Sequence, residues 1–261
     1  MARPIVFLTD YGLADGFVGI CHGVIARLAP DARVIDLTHA IPRQDVMRGA
    51  LALGRATGFM PADAVYVAVV DPGVGSERRS IAVLAASGAM LVGPDNGLLS
   101  MAWDALGGTV AAAEISAEDV VLQPVSKTFH GRDVFAPAAA HLANGLPLER
   151  MGPSVDPAGL RAVELAAPML ADGVLGCRVT SVDGFGNVQL NARPSDLEEA
   201  GIGRFLRLGG RAIPHVQIFA DVPEGTLGAI VDSEGYVALV VNHGSAATML
   251  GLAEGAAVVL E

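Results

Sequence analysis

The stretch Val65–Ser80 constrains the fold more than any other part of this chain. It opens with an apolar, largely β-branched run, Val65–Val70, which is typical of a buried strand. Asp71 follows directly, and a proline and two glycines then predict a tight turn before Arg78. Because ligands of open α/β sheets bind past the carboxyl ends of the strands, this carboxylate and this arginine indicate a prepared site. A surface ion pair of Arg78 with Glu77 is the structural alternative.

Short apolar runs alternate with helical patterns through the first part of the chain, and this alternation favours an α/β sheet. The predicted strands are Pro4–Thr9, Arg33–Leu37, Val65–Val70, Ile81–Leu84, Met90–Val92 and Thr109–Glu114. The predicted helices are Phe17–Leu28, a segment from Asp45 to about Gly58, and the alanine-rich Ala136–Ala143. We therefore predict an N-terminal α/β domain with a central sheet over residues 1–160.

The pattern changes after a turn-rich segment, Pro153–Leu165, which we predict to be the linker. Short strands then follow one another with few helical patterns between them. They are Gly173–Val182, Val188–Leu190, Phe205–Leu208, Val216–Phe219, Ala229–Val231, Val237–Val241 and Ala256–Leu260. This spacing predicts a smaller C-terminal all-β barrel domain over residues 165–261.

Composition narrows the classes of function. Of the 261 residues, 52% are hydrophobic and 17% charged, and the net charge of −11 argues against nucleic-acid binding. The sequence contains neither an apolar run long enough for a membrane span nor a signal-peptide profile. Cys21 and Cys177 have no metal-like spacing, so we expect buried thiols in a reducing cytoplasm.

Candidate functional side chains fall at predicted strand ends and turns. In the first domain they are Asp10, Asp71, Arg78 and His130, and in the second Asp183, Asn187, Asn242 and His243. The sequence has no Walker loop, no nucleophile elbow and no metal-ligand spacing among these residues. We therefore expect neither a metal nor a cofactor. The other histidines are expected to be structural or exposed.

Six motifs in order resemble one known family. They are TDYG at 9–12, VVDPGVGSERR at 69–79, GPDNG at 93–97, TFHGRDVFAP at 128–137, DGFGN at 183–187 and DSEGYVALVVNHGSAA at 232–247. Together they are similar to the S-adenosyl-L-methionine (SAM) hydrolases, also called SAM hydroxide adenosyltransferases, which are relatives of the fluorinase and chlorinase. The resemblance spans nearly the whole chain.

The resemblance implies an activity and an assembly. The expected reaction is hydrolysis of SAM to adenosine and methionine. The expected assembly is a homotrimer whose active sites lie between the N-terminal domain of one subunit and the C-terminal domain of its neighbour. Asp71, Arg78 and His130 would handle the attacking water.

The resemblance also implies which residues bind the substrate. Asp10 would bind the ribose diol, Asp15, Phe17 and Gly131 would surround the substrate, and Phe129 would pack near the ribose. In the C-terminal domain the implied substrate contacts are Asp183 and the adenine-binding Asn187, Ser233 and Glu234 at the methionine end, and Asn242 and His243 near adenine. The halogenases carry an aromatic residue where this chain has Gln44, which puts ribose contacts from that loop in doubt.

The residue chemistry suits this reaction. A sulfonium and a hydroxide annihilate charge at the transition state, which a dry cleft favours. Arg78 remains protonated and can stabilise the anion, while His130 or Asp71 can orient the water or accept its proton.

Other readings stay open. A chloride-using SAM halogenase and a non-catalytic SAM or adenosine sensor are the alternative functions. Structurally, Asp10 is also explained as a helix N-terminal carboxylate, and Asp183 with Asn187 as a hairpin turn.

Overall fold

The protein was studied as a computed structural model that describes residues 2–261. It divides into two compact units: the N-terminal unit ends at Val163, and the C-terminal unit is Glu164–Glu261. No helix in the described part of the chain has the length and hydropathy that a membrane crossing requires.

The N-terminal unit is built on a mixed seven-stranded sheet with the order β2-β1-β3-β5-β4-β6-β7. Its strands are β1 Ile5–Thr9, β2 Val34–Thr38, β3 Val65–Val69, β4 Ser80–Ala85, β5 Met90–Pro94, β6 Thr109–Glu114 and β7 Ser154–Val155. The first four in sheet order are parallel, and β4, β6 and β7 pair antiparallel. The carboxyl ends of β1 and β3 therefore meet at one edge of the sheet.

Helices cover both faces of this sheet. They are α1 Phe17–Leu28, α2 Val46–Ala56, α3 Ser100–Ala105 and α4 Ala136–Ala143, with short 3-10 turns at Thr57–Phe59, Leu148–Arg150 and Pro157–Gly159. One core contains residues of α1 and α4, and the other contains residues of α2 and α3. Successive side chains of a strand point to opposite faces, so Phe7 joins the first core and Leu8 the second. This explains why β1 is apolar throughout.

The boundary between the two units, after Val163, falls inside the segment predicted as a linker, but most of that segment packs with the N-terminal unit. Its residues Ser154–Val155 form β7 against β6, and the backbone N–H of Arg161 donates to the buried Asp95 carboxylate (2.8 Å). Turn-forming residues mark the region of the boundary here, but they also occur in a segment that packs along a sheet edge. The predicted domain ranges, 1–160 and 165–261, remain predictions.

The C-terminal unit is a set of antiparallel sheets with two short helices, α5 Pro194–Glu199 and α6 Ala246–Leu250. Its strands are β8 Met169–Ala171, β9 Val174–Val182, β10 Val188–Leu190, β11 Phe205–Leu208, β12 Arg211–Pro214, β13 Leu227–Val231, β14 Val237–Val241 and β15 Ala257–Leu260. The main sheet runs β13-β14-β10-β9-β15, and β8 pairs with β9.

The predicted all-β barrel is not confirmed, since no closed sheet forms in residues 164–261. The separate hairpin β11–β12 spans the gap between the sheet edges. Arg207 exchanges two backbone hydrogen bonds with Glu261, and Val216 N–H donates to Ala229 (2.9 Å). The edges thus meet the hairpin through isolated bonds rather than through continuous ladders.

One predicted strand, Val216–Phe219, is wrong. The Asp221 carboxylate accepts the backbone N–H groups of Gln217 (2.9 Å) and Ile218 (3.1 Å), which bends this segment into a 3-10 turn, Phe219–Asp221. Side-chain capping by an aspartate competes here with an apolar pattern that otherwise favours a strand.

Candidate active site

The loop after β3 is folded against the loop that carries His130. Backbone hydrogen bonds from Val74 to Asp71 and from Ser76 to Gly73 close its two turns. Gly75 has φ +77°, and a Cβ there would lie 2.2 Å from the carbonyl oxygen of Lys127. Only glycine permits this close approach, which brings the Asp71–Arg78 loop beside residues 127–130.

Arg78 is the centre of the site, and all five of its N–H groups have acceptors. Nε lies 3.0 Å from both Asp71 carboxylate oxygens, and Nη2 lies 2.5 Å from Asp71 Oδ2 and 2.7 Å from His130 Nδ1. Nη1 donates to Ser80 Oγ (2.7 Å) and to the Arg79 carbonyl (3.3 Å). The guanidinium also lies 5.3 Å from the Phe135 ring centroid. Arg78 is therefore rigidly oriented, and its charge, rather than a free N–H group, is what it offers to a bound molecule.

This ion pair is buried, which contradicts the alternative of a surface pair with Glu77. The Arg78 and Asp71 side chains are 9% and 4% exposed. The neighbouring Arg79 has a 36% exposed side chain, and it binds the 3% exposed Asp95 carboxylate through Nε and Nη2. Removal of one partner from a buried pair leaves an uncompensated charge, so the Asp71–Arg78 geometry is strongly held.

The contact with Arg78 fixes the state of His130. An arginine N–H can only donate, so Nδ1 of His130 accepts and the ring hydrogen of the neutral imidazole is on Nε2. Burial, and after it the positive charge of Arg78, lowers the pKa of His130. Asp71, Asp133 and a hydrogen bond with the Ser126 backbone act in the opposite direction but do not outweigh this effect. His130 is thus neutral at pH 7 and presents a donor at Nε2.

Asp10 follows β1 at the same edge of the sheet. Its Oδ2 accepts the backbone N–H of Gln44 (2.8 Å), and Oδ1 has no hydrogen bond among the described residues. Gln44 has φ +65°, a backbone conformation that is unfavourable for a residue other than glycine. The loop of Gln44 thus uses a strained backbone position to orient the Asp10 carboxylate. Asp10 is not a cap of α1, whose N-terminus at Gly16 has no side-chain cap.

Three aromatic rings line the region beside Asp10. Tyr11 and Phe17 have ring centroids 5.9 Å apart, and Phe129 lies 5.9 Å and 5.2 Å from them. A Cβ on Gly131 would lie 2.2 Å from the Tyr11 hydroxyl oxygen, so this glycine makes room for Tyr11. Gly131–Phe135 forms a single π-helical turn, a feature frequent at functional sites. Asp15 is exposed on the neighbouring loop, before α1.

In the C-terminal unit, Asp183 and Asn187 form the turn between β9 and β10. Asp183 Oδ1 accepts the backbone N–H groups of Phe185 and Asn187 (both 2.9 Å), and Oδ2 accepts Asn187 Nδ2 (2.8 Å). The explanation of Asp183 and Asn187 as a hairpin turn is therefore correct for the backbone. It also orients the Asn187 amide, because its nitrogen is committed to Asp183.

A cavity of about 530 Å³ opens beside this turn. It is lined by Phe185, Asn187, Phe219, Val241, Asn242, His243 and Gly244. The Asn242 side chain donates to the Val222 carbonyl (2.8 Å), and His243 has φ +54°. Asn187, Asn242 and His243 are thus brought together around one mostly apolar cavity, with side-chain N–H groups of both asparagines already engaged.

Ser233 and Glu234 lie elsewhere in the unit. They belong to the turn before β14, whereas Asn242 and His243 follow β14, whose five residues span roughly 17 Å. Glu234 Oε2 accepts Gln189 Nε2 (2.9 Å), and the same nitrogen lies 2.5 Å from Asp232. The structure therefore does not bring these two residues into the cavity of Asn187.

The sequence analysis missed three side chains at this site. Ser80 and Phe135 hold Arg78, and Tyr11 packs against Phe17 and Phe129. Each lies within or next to a motif already singled out, but motif position does not reveal which side chain faces the arginine.

Comparison with known proteins identifies the family of this chain. The family models for the SAM hydroxide adenosyltransferase N-terminal and C-terminal domains match residues 5–152 and 177–259. The (R)-S-adenosyl-L-methionine hydrolase of Salinispora arenicola is 53% identical over 253 residues, which cover 96% of this chain and 95% of the relative. The fluorinase of Nocardia brasiliensis is 31% identical over 289 residues, with coverage of 98% and 96%.

A solved structure has the same fold. The crystal structure of an uncharacterized conserved protein from Thermotoga maritima matches with a TM-score of 0.90 at 33% identity, and the match covers 98% of this chain and 99% of that one. The chain belongs to the SAM hydroxide adenosyltransferase family, and the resemblance seen in its motifs is confirmed.

Proposed function

We propose that the protein hydrolyses S-adenosyl-L-methionine to adenosine and L-methionine. The observation that carries this proposal is the buried Asp71–Arg78 ion pair with the half-buried His130 bonded to it, which locks one permanent cation to one neutral histidine. The set stands in a chain that is 53% identical to a relative named (R)-S-adenosyl-L-methionine hydrolase.

The reaction is an in-line displacement at the ribose C5′. A bond forms between the water oxygen and C5′, the C5′–S bond breaks, and its electron pair stays on the methionine sulfur. The ring of His130 orients the water beside Arg78, whose charge stabilises negative charge as it develops on the water oxygen. The released proton passes to Asp71, the anion of the set, and then to solvent.

The second set of residues recognises the substrate. The free Oδ1 of Asp10 accepts hydrogen bonds from the ribose diol, and the rings of Tyr11, Phe17 and Phe129 surround the sugar. The cavity lined by Asn187, Asn242 and His243 takes the adenine. Asp183 acts by orienting Asn187 and by its charge toward the ammonium group, and Ser233 and Glu234 remain candidates for the methionine end.

We further propose that the protein works as a homotrimer, with each active site completed by residues of neighbouring subunits. The apolar side chains left exposed in both units support this assembly. Phe17 and Ile20 are 43% and 46% exposed in the N-terminal unit, and Phe185 and Phe219 are 83% and 44% exposed in the C-terminal unit. Exposed apolar groups beside functional residues are typical of interaction surfaces.

Product analysis tests the proposed function. The purified protein is incubated with SAM, with and without excess chloride, and the products are separated by chromatography. Adenosine and methionine in both reactions support the hydrolase. A chloride-dependent 5′-chloro nucleoside would identify a halogenase, and intact bound SAM would identify a sensor.

Matched variants connect the activity to the site. His130→Ala should lose turnover, whereas His141→Ala, on α4 and outside the site, should retain it. An equal loss of turnover in the two variants, or no loss in either of them, would contradict the proposed role of His130.

A further inference from the structure

Two histidines and an aspartate form a compact cluster at the outer part of the N-terminal sheet, away from the groups that the proposed reaction uses. His22 lies on α1, Asp36 on β2, and His39 directly after β2. His22 Nε2 lies 2.8 Å and His39 Nε2 lies 3.0 Å from the same oxygen, Asp36 Oδ1. All three possible ligand atoms lie within 4.8 Å of one another.

One nitrogen of the cluster is left without a hydrogen bond. His39 is 3% exposed in its side chain, and its Nε2 makes no hydrogen bond of acceptable geometry with any described residue, although Asp36 Oδ1 is near. Unpaired polar atoms in protein interiors are costly and require an explanation. A buried imidazole nitrogen directed toward a carboxylate and a second imidazole is what a metal ion would satisfy.

The other nitrogen of His39 is already arranged for this role. Nδ1 lies 2.9 Å from Thr9 Oγ1, which also accepts the backbone N–H of Tyr11 (3.2 Å). Metal-binding histidines commonly donate their second ring N–H to such an acceptor, which fixes the tautomer and the ring orientation. The Phe7 ring packs against both imidazoles, with its centroid 4.9 Å from that of His39 and 5.9 Å from that of His22.

We propose that His22, Asp36 and His39 bind a divalent transition-metal ion of the zinc type. Two imidazoles and one carboxylate are a common ligand set for such ions, and they leave a position for water. Tetrahedral zinc requires ligand atoms about 3.3 Å apart, so the 2.8 Å and 3.0 Å separations need to open by only a few tenths of an ångström. His22 and Asp36 are 35% and 43% exposed, which gives the ion a path from solvent.

Binding here would affect the substrate-binding edge. The His39 carbonyl accepts the Gly12 backbone N–H (2.7 Å), and Thr9 immediately precedes Asp10. An ion held by α1, β2 and His39 would therefore fasten the segment 9–12 to two other elements. The proposal of a metal site does not rest on the proposed hydrolysis, because none of its ligands belongs to the Asp71–Arg78–His130 set.

Calorimetric titration with Zn²⁺ tests the site. Full-length, tag-free protein is stripped with EDTA, which is then removed before Zn²⁺ is added. We expect one tight site per chain, insensitive to a large excess of Mg²⁺ because that ion prefers oxygen ligands. Co²⁺ in place of Zn²⁺ should give the intense visible absorption of a four- or five-coordinate site.

The ligand variants affect exposed side chains and should fold. His22→Ala and Asp36→Asn should each weaken binding by more than about 100-fold, since loss of an outer-shell partner alone costs about 10- to 100-fold. Thr9→Val, which removes the acceptor for His39, should weaken binding by about 10-fold. His141→Ala is the matched histidine control and should bind Zn²⁺ as the wild type does.

The proposal has clear contrary results. It is overturned if the wild-type protein takes up no Zn²⁺, or if Asp36→Asn and His22→Ala both bind as tightly as His141→Ala. It is equally overturned if Mg²⁺ displaces the ion at similar concentration. Melting curves of each variant, recorded without metal, establish that it is folded.

Discussion

The proposed reaction centre of the N-terminal unit and the cavity of the C-terminal unit are built in opposite ways. In the first, every N–H of Arg78 is paired and the ion pair is nearly inaccessible to solvent. In the second, Phe185 is 83% exposed and the polar groups are turn residues. Under the proposed function, this difference means that the charges for chemistry are fixed in advance in one region, whereas the other region offers a surface that recognises the substrate. Substitutions in the two regions should therefore separate effects on kcat from effects on KM.

The largest effect is expected at Arg78. Arg78→Lys keeps the charge but cannot contact Asp71, His130 and Ser80 together, so kcat should fall by at least about 100-fold. Steady-state kinetics with saturating SAM measure this loss. The control is Arg150→Lys, in a surface ion pair with Asp119 whose side chains are 60% and 63% exposed, and it should leave kcat unchanged. If the kcat of Arg78→Lys equalled that of the wild type, the hydrogen bonds that hold Arg78 in place would not be needed for the reaction.

Gly131→Ala should reduce kcat by about 10-fold, because the new methyl group overlaps the Tyr11 hydroxyl and shifts the turn that begins after His130. The double variant Gly131→Ala/Tyr11→Phe removes that hydroxyl and should recover much of the loss. A double-mutant cycle on kcat checks this coupling. Additive effects in the cycle would place the cause outside the Gly131–Tyr11 contact.

Asn187→Ala should raise KM by about 10-fold with little change in kcat, since it removes one oriented amide from the recognition cavity. Steady-state kinetics over a range of SAM concentrations separate the two constants. A loss confined to kcat would mean that the cavity takes part in the chemical step, which would break the proposed division between the regions.

The smallest effect concerns pH. Since burial and Arg78 lower the pKa of His130, the neutral form persists below pH 6.5, the usual pKa of histidine. Protonation of His130 would place a hydrogen on Nδ1, directly opposite an Arg78 N–H, and would break this contact. We therefore expect kcat to fall only when the pH drops below 6.5. The kcat profile from about pH 4.5 to 8 measures the midpoint. A midpoint above 6.5 would contradict the neutral, arginine-bound state of His130.

Much of the N-terminal unit is predictable from the sequence because its central strands β1 and β3 are buried on both faces and read as continuous apolar runs. Helix Phe17–Leu28, strand Thr109–Glu114 and helix Ala136–Ala143 are confirmed with their predicted bounds. The clustering of Asp71, Arg78 and His130 followed from the family motifs, and the structure brings these residues together. What the pattern could not reveal is that Arg78 has no N–H left for a ligand, because this depends on Ser80 and on the fold of the loop.

The C-terminal unit was harder to predict, for a physical reason. Its strands are short, and side-chain caps such as Asp221 redirect the backbone where the apolar pattern favours extension. The cluster of His22, Asp36 and His39 was invisible for a different reason. Its members come from a helix, a strand and a loop, so no spacing along the chain marks them.

Isotope labelling tests the central claim, attack of water at C5′, most directly. The protein is incubated with SAM in H₂¹⁸O, and the products are examined by mass spectrometry. We predict adenosine that carries one ¹⁸O at its 5′-hydroxyl, together with unlabelled methionine. Adenosine without the label, or a labelled product cleaved at another bond, would contradict the account.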